Sequence, residues 1–478
     1  MKKTITIILC GMLVMLASCK KDEPTPAVED SALVKALKAN ERISEVKSYS
    51  IGEIIPSDWD AQAKGKLQGA YKECVEFLYV QPLDHKNYSG RSFYQRVRIF
   101  YAGNGRNTVL HTAGYNLSPK MEAYYNALAL KGGMNLVEVE HRYFYGSDPS
   151  SIDPNYNYFN AVQQSDDLHD VVTDIKKILG GKWLATGCSK DGITSALYAV
   201  HYPQDMSVYV PFDAPFCIGR EDDRVGDFLN NKVGTKEQRD RIYNSQILAL
   251  EVMDDIAALI YKNGEGKGSG TIPAGKMEAY RDSVRGVVLC KFLDLWSYNP
   301  VGDWIDKVPQ QNGGSVTVDS LYRYFYKSEV KKSPYTPDGN TQYTYPYQVQ
   351  AWLELGSFVM DISRFDAKYG LSIEKHTPYL KGTLTDDDFK KVGTRPFNYV
   401  TMKSVTDFVK NTGGVKMVFV YGGNDYWTAC GIQQGEYDTQ NVKYHLITRG
   451  THTDNLEEFE VKSEADAVWA DVQAFLNK

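Results

Sequence analysis

KWLATGCSKDGITSALYAVHYP, residues Lys182 to Pro203, runs from an apolar stretch through Gly187-Cys188-Ser189-Lys190-Asp191-Gly192 into a second, amphipathic one. The first part reads as a strand buried on both faces and the last as a helix, with one sharp turn between them. Such a turn lifts the serine hydroxyl above the end of a sheet and aims the N–H groups of the helix start at a point beside it. Its apex sits in a sparsely populated backbone conformation costing about 1–3 kcal/mol, so the neighbours have to be small or turn-tolerant. Gly187 meets that need two residues before Ser189. Two residues after it stands Asp191, bulkier than the glycine such a turn prefers, with Gly192 directly following. Ser189 is a candidate nucleophile in an elbow that departs from the simplest pattern at one position.

Reading outward from the elbow, short apolar runs alternate with amphipathic ones. CVEFLYVQPLDH (74–85) and YQRVRIFYAG (94–103) are expected as antiparallel strands joined by the turn-rich KNYSG. NTVLHTAGY (107–115) and MNLVEVEHRYF (134–144) are expected as buried strands. SPKMEAYYNALALKGG (118–133) and NAVQQSDDLHDVVTDIKKILGG (160–181) are expected as helices stopped by glycine. MSVYVPFDAPF (206–216) is the strand after the elbow helix. This alternation predicts a mostly parallel sheet with right-handed crossovers.

From about Cys217 to Phe397 the pattern is largely helical, in 235–264, 276–299 and 347–365, with polar loops such as KSPYTPDGNTQYTY (332–345). Alternation resumes with GVKMVFVYGGND (414–425), NVKYHLITRGTH (441–452) and a closing helix, SEADAVWADVQAFLNK (463–478). The helical stretch therefore reads as a cap, 221–397, inserted between two parts of one core, 46–220 and 398–478.

The N-terminus reads as an export signal. Lys2 and Lys3 precede an apolar run, Ile5 to Leu16, too short to span a bilayer, and Leu16-Ala17-Ser18-Cys19 ends it. Small residues before a cysteine resemble a lipoprotein cleavage site, which would remove 1–18 and leave acyl chains on Cys19; an ordinary cleavable signal is the alternative. Residues 19–45, opening with KKDEPTPAVEDS, are expected as a flexible tether. The expected location is the outer membrane or surface of a Gram-negative bacterium, or the periplasmic side of its membrane.

A net charge of −6 without a Lys/Arg-rich run gives no reason to expect a nucleic-acid partner, and none is expected. Cys74, Cys188, Cys217, Cys290 and Cys430 form no CxxC pair, and no HExxH-like spacing occurs, so neither a metal nor a cofactor is implied. The oligomeric state is not legible.

A serine nucleophile needs a base and an acid, and on a hydrolase sheet these follow in the order serine, acid, histidine, on loops after late strands. His452, in RGTHTDN, lies on the loop after the last strand. His445, inside VKYHLI, reads as a half-buried structural residue. Asp425 ends the preceding strand in VYGGND. Ser189, Asp425 and His452 are the candidate triad.

The motifs VQPLDHKN…FYQRV, TAGYN, EHRYF, KWLATGCSKDG, FDAPF, YGGNDYWTA and GTHTDNL resemble, in order, those of secreted serine exopeptidases. The likeness is to tripeptidyl aminopeptidases of the actinomycete type and their relatives, the lysosomal Pro-X carboxypeptidase and dipeptidyl peptidase family. It covers most of Cys74 to Leu456. Where those aminopeptidases carry Gly-Gly-Ser-Lys-Gly-Gly, Cys188 and Asp191 replace glycines while Lys190 and Gly192 match. The resemblance implies an α/β-hydrolase fold with a large, mainly helical cap, and peptides as substrates. It implies Ser189, Asp425 and His452 as the triad, and the N–H groups of Lys190 and Tyr115 as the oxyanion hole. Trp427 would wall the S1 pocket. Glu354, in VQAWLELG, would meet a free α-amino group or pair within its own helix. Glu140 would contribute to substrate binding or form a buried pair with Arg142. The expectation is a tethered serine aminopeptidase releasing short N-terminal peptides; the rivals are an esterase or lipase, and a non-catalytic binding lipoprotein.

Overall fold

Strands that are apolar on both sides need cover on both faces, and the central strands of this sheet obtain it from helices. A computed structural model describes residues 29–266, 268, 269, 271–311, 316–327 and 341–477. The expected signal peptide, Cys19 and most of the polar loop at 332–345 lie outside them. The nine strands are β1 (Ile43–Tyr49), β2 (Glu73–Pro82), β3 (Ser92–Tyr101), β4 (Thr108–Thr112), β5 (Asn135–Val139), β6 (Trp183–Cys188), β7 (Val208–Phe212), β10 (Met417–Gly422) and β11 (Val442–Ile447). Short β8 (Glu221–Asp222) and β9 (Ser357–Phe358) pair with each other in the cap.

The large sheet runs in the order β1-β2-β3-β5-β4-β6-β7-β10-β11. β1, β2, β3 and β5 pair antiparallel, and from β5 through β4 to β11 every pairing is parallel. Reversal of strand order at β5-β4-β6 brings the loops after β4, β6, β7, β10 and β11 to one edge, where open α/β sheets place their sites. This is the α/β-hydrolase fold.

One face of the sheet packs against the helices Ala161–Leu179, Lys190–His201 and Tyr399–Phe408, through Leu168, Val171, Ala196 and Val405 among others. The other packs against Ala61–Ala70, Ala127–Gly132 and Lys462–Leu476, through Leu67, Leu128, Val468 and Val472. A third apolar cluster, built on Val284, Val288, Phe292 and Trp296 of the long helix Met277–Tyr298, is the core of the cap. It includes Tyr426, Trp427 and Cys430 from the loop after β10, so cap and catalytic edge share one core.

The structure corrects four expectations. The tether ends earlier than residue 45: Ala32–Lys38 is helical with Leu33, Val34 and Leu37 buried, Ser31 caps it, and β1 follows. Of 118–133 only Ala127–Gly132 is helical. Arg96 and Arg98 hydrogen-bond the carbonyls of Leu117, Ser118 and Lys120, which removes them as helix acceptors. In the cap, the helix expected over 347–365 stops at Gly356, whose φ is +76° and whose Cβ would sit 2.2 Å from the Gly219 carbonyl oxygen. A side chain does not fit there, and the chain leaves to form β9. The polar loop expected over 332–345 gives way to helix from Thr341.

Candidate active site

The chain turns sharply between β6 and the helix Lys190–His201, and Ser189 is the turn. It adopts φ 59° and ψ −125°, a strained conformation for a residue with a side chain, and its N–H donates to the Phe212 carbonyl at 2.9 Å. Gly187 is obligatory for the approach of the helix, since a Cβ there would lie 2.5 Å from Asp191. Asp213 and Arg449, just after β7 and β11, also have positive φ, of 43° and 55°. Strain thus collects at the catalytic edge.

Asp425 begins a short turn after β10 and is fully buried. Its Oδ1 accepts from the Trp427 N–H at 3.2 Å and from the Ser297 hydroxyl at 3.0 Å, and its Oδ2 lies 2.7 Å from His452 Nδ1. A carboxylate only accepts, so in the neutral imidazole Nδ1 carries the proton and Nε2 keeps its lone pair. Burial by itself would lower the His452 pKa, but the charge and hydrogen bond of Asp425 outweigh it and raise the value. The His452 N–H donates to the Ser297 carbonyl at 2.7 Å, and the Cys188 thiol donates to the His452 carbonyl at 3.1 Å. Base, elbow and the last turn of the long cap helix are therefore held together. Tyr298 adds an edge-on contact to the His452 ring at 5.6 Å.

Asp213 was not singled out from the sequence, although FDAPF was. It lies within 4.8 Å of both Asp425 and His452, and its Oδ1 accepts the Gly422 N–H at 2.7 Å. Burial first, and the neighbouring charge of Asp425 second, push its carboxyl well above the usual carboxylate range. Ser297 was also missed, because nothing in LDLWSYN marks a serine that will reach an acid 128 residues away.

The remaining candidates separate. Lys190 is buried at the elbow, its ammonium donating to the Gly114 carbonyl and lying 5.4 Å from the Tyr115 ring centroid and 5.1 Å from that of Phe144. Burial lowers its pKa to about 7, against the opposing charges of Asp191 and Glu354. Trp427 is 3% exposed and meets Phe358 edge-on at 5.0 Å, seating the cap on the acid loop. Glu354 is 3% exposed: Oε1 accepts from the Ala161 N–H at 2.8 Å and from Gln350 at 3.0 Å, and Oε2 from Thr401 at 2.9 Å. A substrate amine would have to displace one of these donors.

Glu140 is buried, but its partner is not Arg142. It accepts from Arg96 at 2.6 Å, from the Leu117 N–H at 2.9 Å and from Ser147 at 2.8 Å. Arg142 instead makes a bidentate pair with Asp167 of the following helix, both bonds at 2.7 Å. Each of the two is satisfied by partners of its own, Arg96, Leu117 and Ser147 for Glu140 and Asp167 for Arg142. His445 pairs with Asp471 at 3.0 Å, apart from Asp425 and His452.

Among the described residues, Cys217, Asp222 and Cys430 also come together. Arg224 already neutralises Asp222 through bonds of 2.7–3.2 Å, a cation standing where a metal would. The site's own chemistry is that of a serine, an imidazole and a buried carboxylate, which suits acyl transfer.

The chain is 28% identical over 466 residues to the prolyl tri/tetrapeptidyl aminopeptidase of Streptomyces mobaraensis, covering 92% of this chain and 90% of that one. Among solved structures it is similar to the proline iminopeptidase of Mycobacterium smegmatis, at 12% identity and a TM-score of 0.33, over 84% of this chain and 99% of that one. It is also similar to VinJ, at 9% identity and a TM-score of 0.34, over 83% and 98%. The pattern of the PS-10 peptidase S37 family matches residues 63–468, and the chain belongs to that family of serine peptidases.

Proposed function

We propose that this peptidase is an exopeptidase that removes short N-terminal peptides, proline-containing ones among them, and works from a lipid tether outside the cytoplasm. Ser189 Oγ attacks the scissile carbonyl while His452 Nε2 takes its proton; the same proton then passes to the leaving amine. Water, activated by His452 in turn, hydrolyses the acyl-enzyme and restores the serine. Backbone N–H groups of Lys190 and Tyr115 stabilise the oxyanion. The observation that carries the reading is the 2.7 Å bond between Asp425 and His452, with the His452 backbone held on the elbow through Cys188.

The aminopeptidase named among the relatives supports action at N-termini, and so does the cap. It spans the sequence between β7 and β10, and its long helix touches the acid and the base through Ser297. A cap anchored at the acid and the base supports a preference for chain ends over the middle of a folded polypeptide. Peptides with a free amino end are expected to be cleaved at least about tenfold faster than their N-acetylated forms, the worth of one charge-assisted hydrogen bond. Equal rates on both, measured by mass spectrometry on a mixed library, would leave a carboxypeptidase or an esterase.

The tether rests on Leu16-Ala17-Ser18-Cys19. Cys19→Ala is expected to shift the protein from the membrane to the soluble fraction with its specific activity unchanged. Identical partition of both forms would argue against lipidation.

A further inference from the structure

The glycine-to-aspartate departure in the elbow is built into a network. Asp191 Oδ1 accepts the Gly114 N–H at 2.6 Å, and the Asp191 carbonyl accepts from Thr112 Oγ1 at 2.9 Å. From the neighbouring position the Lys190 ammonium donates to the Gly114 carbonyl. Two consecutive elbow side chains therefore grip the amide and the carbonyl of one residue, in the loop that carries Tyr115.

The consequence follows from peptide geometry. The 114–115 bond is trans, so the Gly114 C=O and the Tyr115 N–H point in opposite directions from one rigid plane. A donor held on that oxygen, which the Lys190 amine supplies whether charged or neutral, fixes the direction of the N–H on the other side and polarises it as a donor. The far end of the loop is pinned as well: the His141 N–H donates to the Tyr115 carbonyl at 3.1 Å, and Glu140 accepts from Leu117.

Behind Asp191 lies His111, its Nε2 3.0 Å from Asp191 Oδ2 and its Nδ1 3.2 Å from Glu138 Oε1, with Tyr124 stacked on the ring at 4.6 Å. A carboxylate on each ring nitrogen requires a proton on each. We propose that the side chains of Lys190 and Asp191, with His111 behind Asp191, are positioning residues that hold the Gly114–Tyr115 peptide against the elbow and thereby set the oxyanion site. This rests on Ser189 being the nucleophile.

The groups around His111 are consistent with a charged imidazole. Asp191 and Glu138 face it directly, and the ring of Tyr124 stacks on its face. Further out, Tyr71 and Cys74 near Glu138 and Cys188 near Tyr124 are pushed up by burial, and Arg98 stands near Cys74. Burial alone would lower the His111 pKa, yet the two carboxylates raise it to about 9. Because the folded value exceeds the ordinary one of about 6.5, the pairing is complete below about 6.5 and is lost as pH rises through about 9.

The test uses the full-length protein, a chromogenic peptide and a fluorophosphonate probe. Asp191→Ala is expected to lower kcat about 100-fold, the effect of losing one oxyanion donor, with KM within about threefold. Asp191→Asn keeps an oxygen for Gly114 and should restore most of kcat. Wild type should lose kcat as pH rises through about 9, since neutral His111 cannot serve two carboxylates. Asp191→Asn should lack that limb, because one N–H then suffices for Glu138. A folded Asp191→Ala enzyme with wild-type kcat, or an alkaline limb unchanged in Asp191→Asn, would overturn the proposal. Wild type that is folded but unlabelled by the probe would instead sink the nucleophile beneath it.

Discussion

Ser189→Ala is expected to abolish fluorophosphonate labelling and to lower kcat by about 10⁶, as loss of the nucleophile does in other serine peptidases. Folding should be untouched, because alanine occupies the same strained turn at the same cost. The strain itself is measurable. Ser189 sits at φ 59° and ψ −125°, where a Cβ is penalised and glycine is not. Ser189→Gly should be as inactive as the alanine variant and more stable than it by about 1 kcal/mol in urea unfolding. Stability recovered by glycine and not by alanine measures what a Cβ costs at the apex of this turn. Residual turnover above about one hundredth of wild type in purified Ser189→Ala would mean that another group attacks the carbonyl.

Most of the sheet could be read directly, because strands buried on both faces announce themselves as apolar runs. β4 to β7, β10 and β11 fall within the stretches where the alternation puts them, and β2 and β3 begin one and two residues before theirs. The N-terminal helix could not, since a polar composition around Leu33, Val34 and Leu37 reads as tether until β1 supplies a surface for them. The segment 118–126 has helical periodicity, but two arginines from β3 capture its carbonyls, and such capture is a tertiary event.

The site divides in the same way. Ser189, Asp425 and His452 stand out in the sequence as candidates because each follows a strand in the order the proposed chemistry needs, and the fold pairs Asp425 with His452. Asp213, His111 and Ser297 were not, because each acts through a partner that only the folded chain delivers. Asp191 lies between these cases. As a departure from glycine it stood out in the sequence, yet its partner His111 is 80 residues away. Glu140 and Arg142 show the converse error: opposite charges two residues apart invite a pairing that the folded chain replaces with other partners.

Two buried carboxylates beside one imidazole make the acid the most informative place to cut. Asp425→Asn should lower kcat about 10⁴-fold, because the amide can donate to Nδ1 and stabilise the wrong tautomer of His452. Its residual activity should also change with pH in a defined direction. Asp425 is what raises the His452 pKa against burial, so its loss lets that value fall, and the acid limb of kcat/KM should move to lower pH. The sign for stability is opposite to that for rate. A raised histidine contributes its charged pairing below the ordinary value of about 6.5 and loses it as pH rises through the folded value, whereas catalysis needs the neutral base and gains over the same interval. Asp213 decides how far the variant falls. In wild type burial first and the charge of Asp425 second hold it above the carboxylate range; asparagine at 425 removes the second cause and leaves the first, so the carboxyl within 4.8 Å of His452 moves toward ionisation. Asp213→Asn in the Asp425→Asn background should therefore cost about a further tenfold in kcat, on the scale of one displaced general-base contact. If the double variant matches Asp425→Asn, Asp213 serves only to hold the Gly422 N–H. An Asp425→Asn enzyme within tenfold of wild type would move the acid of the triad to Asp213 itself.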